Sequence, residues 1–214
     1  MLCKLNDVKA LLKIDELDTT HDAQLTLLIK SVSAKIENYI GYSLKRANYV
    51  EELQSVNNRQ VVYFNHFPIQ SVESVEVNGE PITDFKVIPK YAKWGGLYRG
   101  NGWSGDFYIR GFTADIVSGA WEIVATYDAG YYLPDDENYV EGAEDSLPYD
   151  ITAICMELVV LQYTYDVSGA TGIKSHSEGG ISDTFGSADG GASDCGLSAK
   201  VCGMLVDYRR QAIA

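Results

Sequence analysis

Residues 147–166, LPYDITAICMELVVLQYTYD, limit what this chain can fold into more than any other stretch. Pro148 suits the first turn of a helix, where its missing N–H had no partner to lose. Asp150 sets a carboxylate among the free N–H groups of that turn. From Ile151 onward the apolar side chains Ile154, Cys155, Leu158, Val159, Leu161 and Tyr163 cover more than half of the circumference. A stripe that wide predicts a helix buried on several sides, the centre of an all-round packed core. Glu157 is the full charge in its middle.

The segments before it read as helices and then as strands. Asn6 is a candidate cap for a short helix with Val8, Leu11 and Leu12 on one face. Thr19 and Asp22 form a weak capping box ahead of a longer helix. In that helix Leu25, Leu28, Ile29, Val32, Ile36, Tyr39 and Ile40 share a stripe, and Gly41 supplies the stop. From about Tyr49 the period changes to that of strands: 60–64 (QVVYF), 71–77 (SVESVEV), 107–110 and 121–127 (WEIVATY) are rich in β-branched and aromatic residues. Asn78-Gly79 is a hairpin signal, and Pro68, Pro81 and Pro89 with the glycines of 95–105 punctuate the rest.

The expected fold class is therefore α+β: a mainly helical bundle with an inserted small antiparallel β-region and a protruding Gly/Ser-rich arm. Residues 1–214 are read as one domain. Its helical core is 1–48 and 146–214, its β-insertion about 49–128, its acidic linker 129–145 and its flexible arm 168–196. Within the arm, 174–185 alternates loosely and reads as a protruding hairpin or a mobile arm. The last helix, 197–210, gathers Leu197, Val201, Met204, Leu205 and Tyr208 on one face, with Arg209 and Arg210 opposing its dipole.

Motifs for chemistry fail on context. Residues 100–105 match G-x-G-x-x-G, but a strand-like DFYIR follows where a phosphate-binding helix would have to open, so a β-turn is expected. His21, His66 and His176 share no spacing. Ser175, His176 and Glu178 are neighbours along one flexible strand and point in alternating directions, which prevents a hydrolase relay. Asp135, Asp136 and Glu137 lack the alternating ligands and central glycine of a calcium loop. Neither an enzyme activity nor a cofactor is expected, and no metal site.

The net charge of −13 argues against wrapping nucleic acid, though an acidic wall can stand beside DNA without holding it. Cys3, Cys155, Cys195 and Cys202 show no C-x-x-C spacing, which argues against a metal or disulfide framework and for a reducing compartment. The opening residues MLCKLNDVKALLKI lack a signal pattern, and no apolar run approaches membrane-spanning length. A cytoplasmic site of synthesis and no membrane partner are expected.

The order of parts carries a resemblance. LNDVKALLKI leads to DTTHDAQLTLLIKSVSAKIENYIGYS, then the hairpin FNHFPIQSVESVEVNGEPI, a strand ending ATYDAGYYLP, the helix LPYDITAICMELV, the arm GIKSHSEGGISDTFG and a last helix ending VDYRR. This resembles the head–tail connector (adaptor, or head-completion) proteins of tailed bacteriophages and prophages. The blocks 22–43, 67–81, 127–134 with 148–158, and Tyr208-Arg209-Arg210 carry it. The acidic insert 135–145 and the long arm depart from the shorter members.

The resemblance implies a structural virion protein of the neck, at the head–tail junction, made in the bacterial host cytoplasm. Copies form a ring beneath the portal protein, usually dodecameric, that extends the DNA channel without binding DNA specifically. The ring offers a surface to a downstream neck or tail-completion protein. By position, Tyr208, Arg209 and Arg210 would face the portal, and Lys174, His176, Ile181 and Phe185 would form the inter-subunit arm. A different class of reading is a binding module in which Trp94, Trp103 and Trp121, with fifteen tyrosines, stack on carbohydrate or peptide. A motif-less hydrolase is a third, to be recognised by titratable groups converging in a pocket.

Overall fold

The computed structural model describes residues 1–55, 59–103, 121–168, 176–178, 181–183, 197 and 199–209. The chain begins with α1 (Leu5–Leu12) and α2 (Asp22–Ile40), then β1 (Ala47–Ser55), β2 (Val61–Tyr63), β3 (Ile69–Val77), β4 (Glu80–Pro81) and β5 (Phe85–Lys86). There follow α3 (Pro89–Ala92), β6 (Gly96–Arg99), β7 (Trp121–Ala129) and α4 (Tyr149–Ser168). The hairpin β8 (His176–Glu178) and β9 (Ile181–Asp183) precedes α5 (Ala199–Leu205), which tightens into a 3-10 turn at Val206–Tyr208. The chain divides into two compact units, Met1–Tyr42 with Tyr132–Ala214, and Ser43–Tyr131.

The mainly helical bundle expected from the sequence is overturned. Two antiparallel sheets fill the second unit, with strand orders β1-β7-β3-β4 and β2-β6-β5, and nine strands stand beside five α-helices among the described residues. The sequence hid this because β2, β4, β5 and β6 are two to four residues long, too short for alternation to register.

In the first unit, α2 buries Leu25, Leu28, Ile29, Val32, Ile36 and Ile40, and Gly41 ends it at φ 92° with its N–H donating to Glu37 O at 2.8 Å. That is the left-handed stop the sequence announced. The proposed caps are not made: Lys4 stands at the α1 N-cap and His21 at the α2 N-cap, neither with a side-chain hydrogen bond. Lys9 takes over the entry to α2. Its side chain is buried, with Nζ 2.9 Å from Asp22 Oδ1 and donating to Glu16 O at 2.8 Å. A cation so enclosed has to be paired, because its lost hydration is otherwise uncompensated.

The helix α4 packs on α1 and α2 and buries Ile151, Thr152, Ile154, Cys155, Met156, Val159 and Tyr163. It is not enclosed on every side, however: Glu157, Leu161, Thr164 and Val167 are exposed. The all-round core expected of this helix is therefore corrected to a core on most of its circumference.

In the second unit, β7 is the central rung. Its Tyr127 pairs with Tyr49 of β1 and Val72 of β3, and Ile123 with Leu53 and Val77. Ile123, Ala125, Tyr127 and Ala129 face one core with Val75, Val77, Phe64, Leu97 and Trp103, as period-2 alternation requires. Asn78 (φ 52°) and Gly79 (φ 80°) turn β3 into β4, the pair of left-handed residues that a tight hairpin wants. The strand expected at 107–110 lies outside the described residues.

Gly130, at φ 96°, lets the chain leave β7 against the backbone of Lys45: an added Cβ would lie 2.7 Å from Lys45 O. At Gly79 the φ is also positive, but an added Cβ meets nothing within 4 Å. Gly79→Ala should therefore cost about 1 kcal/mol, whereas Gly130→Ala, which adds a backbone clash, should cost about 3 kcal/mol or more. Urea unfolding midpoints of the two variants check the ranking.

Candidate functional site

The last helix of the first unit and the turn after it are held on α4 and α2. The Tyr208 hydroxyl donates to Asp150 Oδ2 at 2.6 Å, and Lys200 Nζ lies 3.4 Å from Glu157 Oε1. As the α5 segment runs from 200 to 208, its partners on α4 run back from 157 to 150, so the two are antiparallel. From α2, the Tyr39 hydroxyl donates to Cys202 O at 3.0 Å, and the Arg209 guanidinium lies over the Tyr39 ring, 5.3 Å from its centre.

Two of the three residues expected to face the portal are thus engaged at the helical surface. Tyr208 is half-buried on Asp150, and Arg209 is exposed with its face on Tyr39. Arg210 lies outside the described residues. Met204 and Val206, on the same short segment, are exposed, as are Leu161 and Val167 of α4. Around Tyr208 this surface therefore offers Met204 and Val206, a guanidinium and a phenol on a braced support, while Leu161 and Val167 lie toward the other end of α4.

Of the arm residues, His176 pairs with Asp183 and Ile181 with Glu178 across the antiparallel β8–β9 pair. This is the hairpin alternative of the sequence reading. Lys174 and Phe185 lie outside the described residues, as does Ser175 of the rejected relay.

In the second unit, Glu51 of β1 points to the core face, where a carboxylate needs donors. It has them: Tyr127 Oη–H at 2.7 Å and His66 Nδ1 both meet Oε1, and the Asn65 N–H reaches Oε2 at 2.8 Å. The His66 ring also stacks on Tyr49 at 3.7 Å. Burial, the hydrogen bond to Glu51 and the charge of Glu51 all hold the Tyr127 phenol above its usual range. The β1 register puts Glu51 on this face with Tyr49 and Leu53, a residue the sequence reading did not single out.

Of the tryptophans of the binding-module reading, Trp94 and Trp103 have described side chains and that of Trp121 lies outside the described residues. Trp103 is wholly buried, its indole N–H donating to Gln60 O at 3.1 Å and Leu97 O at 3.2 Å. Trp94 is exposed, beside Lys93 and the buried Phe67. Gly100–Trp103 is a turn closed by Gly102 N–H to Arg99 O at 3.1 Å, so the glycine motif opens no helix over the residues described.

Among the described residues no three His, Cys, Asp or Glu side chains group as a metal ion would need, and no helix is long and apolar enough to cross a membrane. One pair the sequence reading missed lies in the first unit: Cys3 Sγ and Cys155 Sγ are 3.6 Å apart, brought together by folding from 152 residues apart.

Residues 1–136 match the family model described as Head completion protein. No curated protein matches the chain. Among solved structures, the chain is similar to one from the neck of an empty GTA particle computed with C6 symmetry, with TM-score 0.54 and 12% identity. That match covers 100% of this chain and 92% of the other. It is also similar to a chain in the virion of a native gene transfer agent (GTA) particle, with TM-score 0.47 and 13% identity over 94% of this chain and 84% of that one.

The Glu51 cluster makes a testable pH dependence. Unfolded Tyr127 ionises near its ordinary pKa of 10.0, while the folded phenol keeps its proton to higher pH. Its contribution to stability is therefore complete below pH 10 and declines as pH rises past it. Tyr127→Phe should cost about 1 kcal/mol near neutral pH. The gap to the parent protein should narrow above about pH 10, read from urea unfolding at stepped pH.

Proposed function

The chain belongs to the head completion protein family, and we propose that it acts as a ring-forming subunit of the phage neck. It is a structural protein of the virion, and its place is the head–tail junction. Copies assemble beneath the portal into a ring of twelve, extend the DNA channel, and present a surface to the next neck or tail-completion protein. The observation that carries this reading is the family match over residues 1–136.

The physical chemistry supports it. A ring of subunits each carrying a net charge of −13 lines a passage that DNA crosses without adhering, because like charge offers no gain from counterion release. Heterologous contacts repeated about an axis close into a ring. A twelve-membered ring is compatible with the C6 symmetry in which the similar GTA neck was computed. The segment Tyr208-Arg209-Arg210 faces the portal. The arm with Lys174, His176, Ile181 and Phe185 reaches the neighbouring subunit, a β-hairpin being an edge that a second chain can extend.

The genetic test is deletion of the gene from the phage or prophage that carries it. DNA-filled heads without tails should accumulate, and the wild-type gene should restore tailed particles. Tailed, infectious particles formed without it would overturn the proposal. A gene lacking codons 174–185 should fail to restore tails, while Arg209→Glu should lower the tailed fraction with a melting temperature within about 2 °C of the parent, since its side chain is exposed.

A further inference from the structure

We propose that Cys3 and Cys155 are a redox site, a buried dithiol that hydroperoxide converts to an intramolecular disulfide. Three observations carry it. The two sulfurs are 3.6 Å apart with both residues fully buried, so neither thiol has a competing partner from solvent. Cys155 sits in the middle of α4, whereas Cys3 precedes α1 on non-helical backbone, so the two sulfurs are not held apart by one rigid element. Finally, the donors around Cys155 are arranged for a thiolate.

That arrangement is a short relay. The Leu2 N–H donates to Ser33 Oγ at 3.1 Å, which leaves the serine O–H free for Cys155 Sγ at 3.8 Å. The Cys3 S–H is the second donor to the same sulfur. Two hydrogen bonds converging on one sulfur stabilise its anion, and the charge of the N-terminal ammonium adds to them. In accord with this, Cys155 is held below the ordinary thiol range, first by the Cys3 hydrogen bond, while that same bond and burial push Cys3 up.

The roles follow. The Cys155 thiolate attacks one oxygen of the peroxide, the O–O bond breaks, and a sulfenic acid forms with release of hydroxide. The Cys3 sulfur then attacks the sulfenic sulfur and gives up its proton. The sulfenic hydroxyl leaves as hydroxide, and the two hydroxides take up the two thiol protons as water. In balance, two thiols and one hydrogen peroxide give one disulfide and two waters. A water-sized oxidant reaches such a site through the local openings that all folded proteins undergo. The product ties the segment before α1 to the central helix. In a particle that leaves a reducing cytoplasm for an oxidising exterior, the latch closes after assembly, a timing that rests on the neck reading while the chemistry does not.

The test uses the full-length chain with Cys195→Ser and Cys202→Ser, so that Cys3 and Cys155 are the thiols left. Untreated and then denatured, it should take up two maleimides per chain. After hydrogen peroxide it should take up none, and dithiothreitol should restore both. Peptide mapping of the peroxide-treated parent protein should show Cys3 linked to Cys155 and a melting temperature raised by at least about 5 °C. With Cys3→Ser added, dimedone should label Cys155. Thiols that persist at a peroxide level that consumes free cysteine would overturn the proposal, as would links between molecules or dimedone on both residues of the intact pair. Each of these results bears on the thiols alone and leaves the neck assignment standing.

Discussion

Enclosure of α4 is the constraint on which the first unit depends. Its residues 151–163 carry one charge, Glu157, and apolar groups on nearly every side, so isolated in water the helix would expose more apolar surface than a soluble fold tolerates. The unit answers by laying α1 and α2 on it and bracing the last helix against it through Asp150 and Glu157. The buried Lys9–Asp22 pair belongs to the same solution, because it fixes where α2 begins and so which stripe α2 turns toward α4. What stays uncovered, Leu161 and Val167 with Met204 and Val206, is apolar on a protein that works in an assembly, where exposed apolar groups commonly meet a partner.

The second unit solves a different problem. Its core face includes a carboxylate, Glu51, and the sheet satisfies that group with a phenol, an imidazole and a backbone N–H. Removing any one donor leaves the others, but removing the carboxylate leaves several donors buried without an acceptor. The network therefore ties residues 65–66 to β1 and β7 more specifically than apolar contact would.

Long elements were legible in the sequence and short ones were not. The stripe from Leu25 to Ile40 with its Gly41 stop, the Asn78-Gly79 turn and the alternation of Ile123, Ala125 and Tyr127 each carry enough repeats to read. Strands such as β4 and β5 have two residues each, too few for alternation to register, so the extent of the sheets was missed and a bundle was expected instead. The cap at Asn6 failed because α1 already begins at Leu5, and at the start of α2 a tertiary contact, Lys9 with Asp22, took over the end that Thr19 would have closed. Of the site, the sequence suggested Tyr208 and Arg209 through resemblance. That their side chains rest on Asp150 and Tyr39, and that Cys3 meets Cys155, became visible once the helices were packed.

The measurement that bears most directly on the account is the mass of the complex formed when this protein is titrated onto purified portal rings. Twelve chains of 23.5 kDa add about 280 kDa (12 × 23.5), so the portal peak should move by that amount and then stop moving as more protein is added. A portal peak that keeps its own mass at every ratio, with the protein remaining separate, would contradict the account.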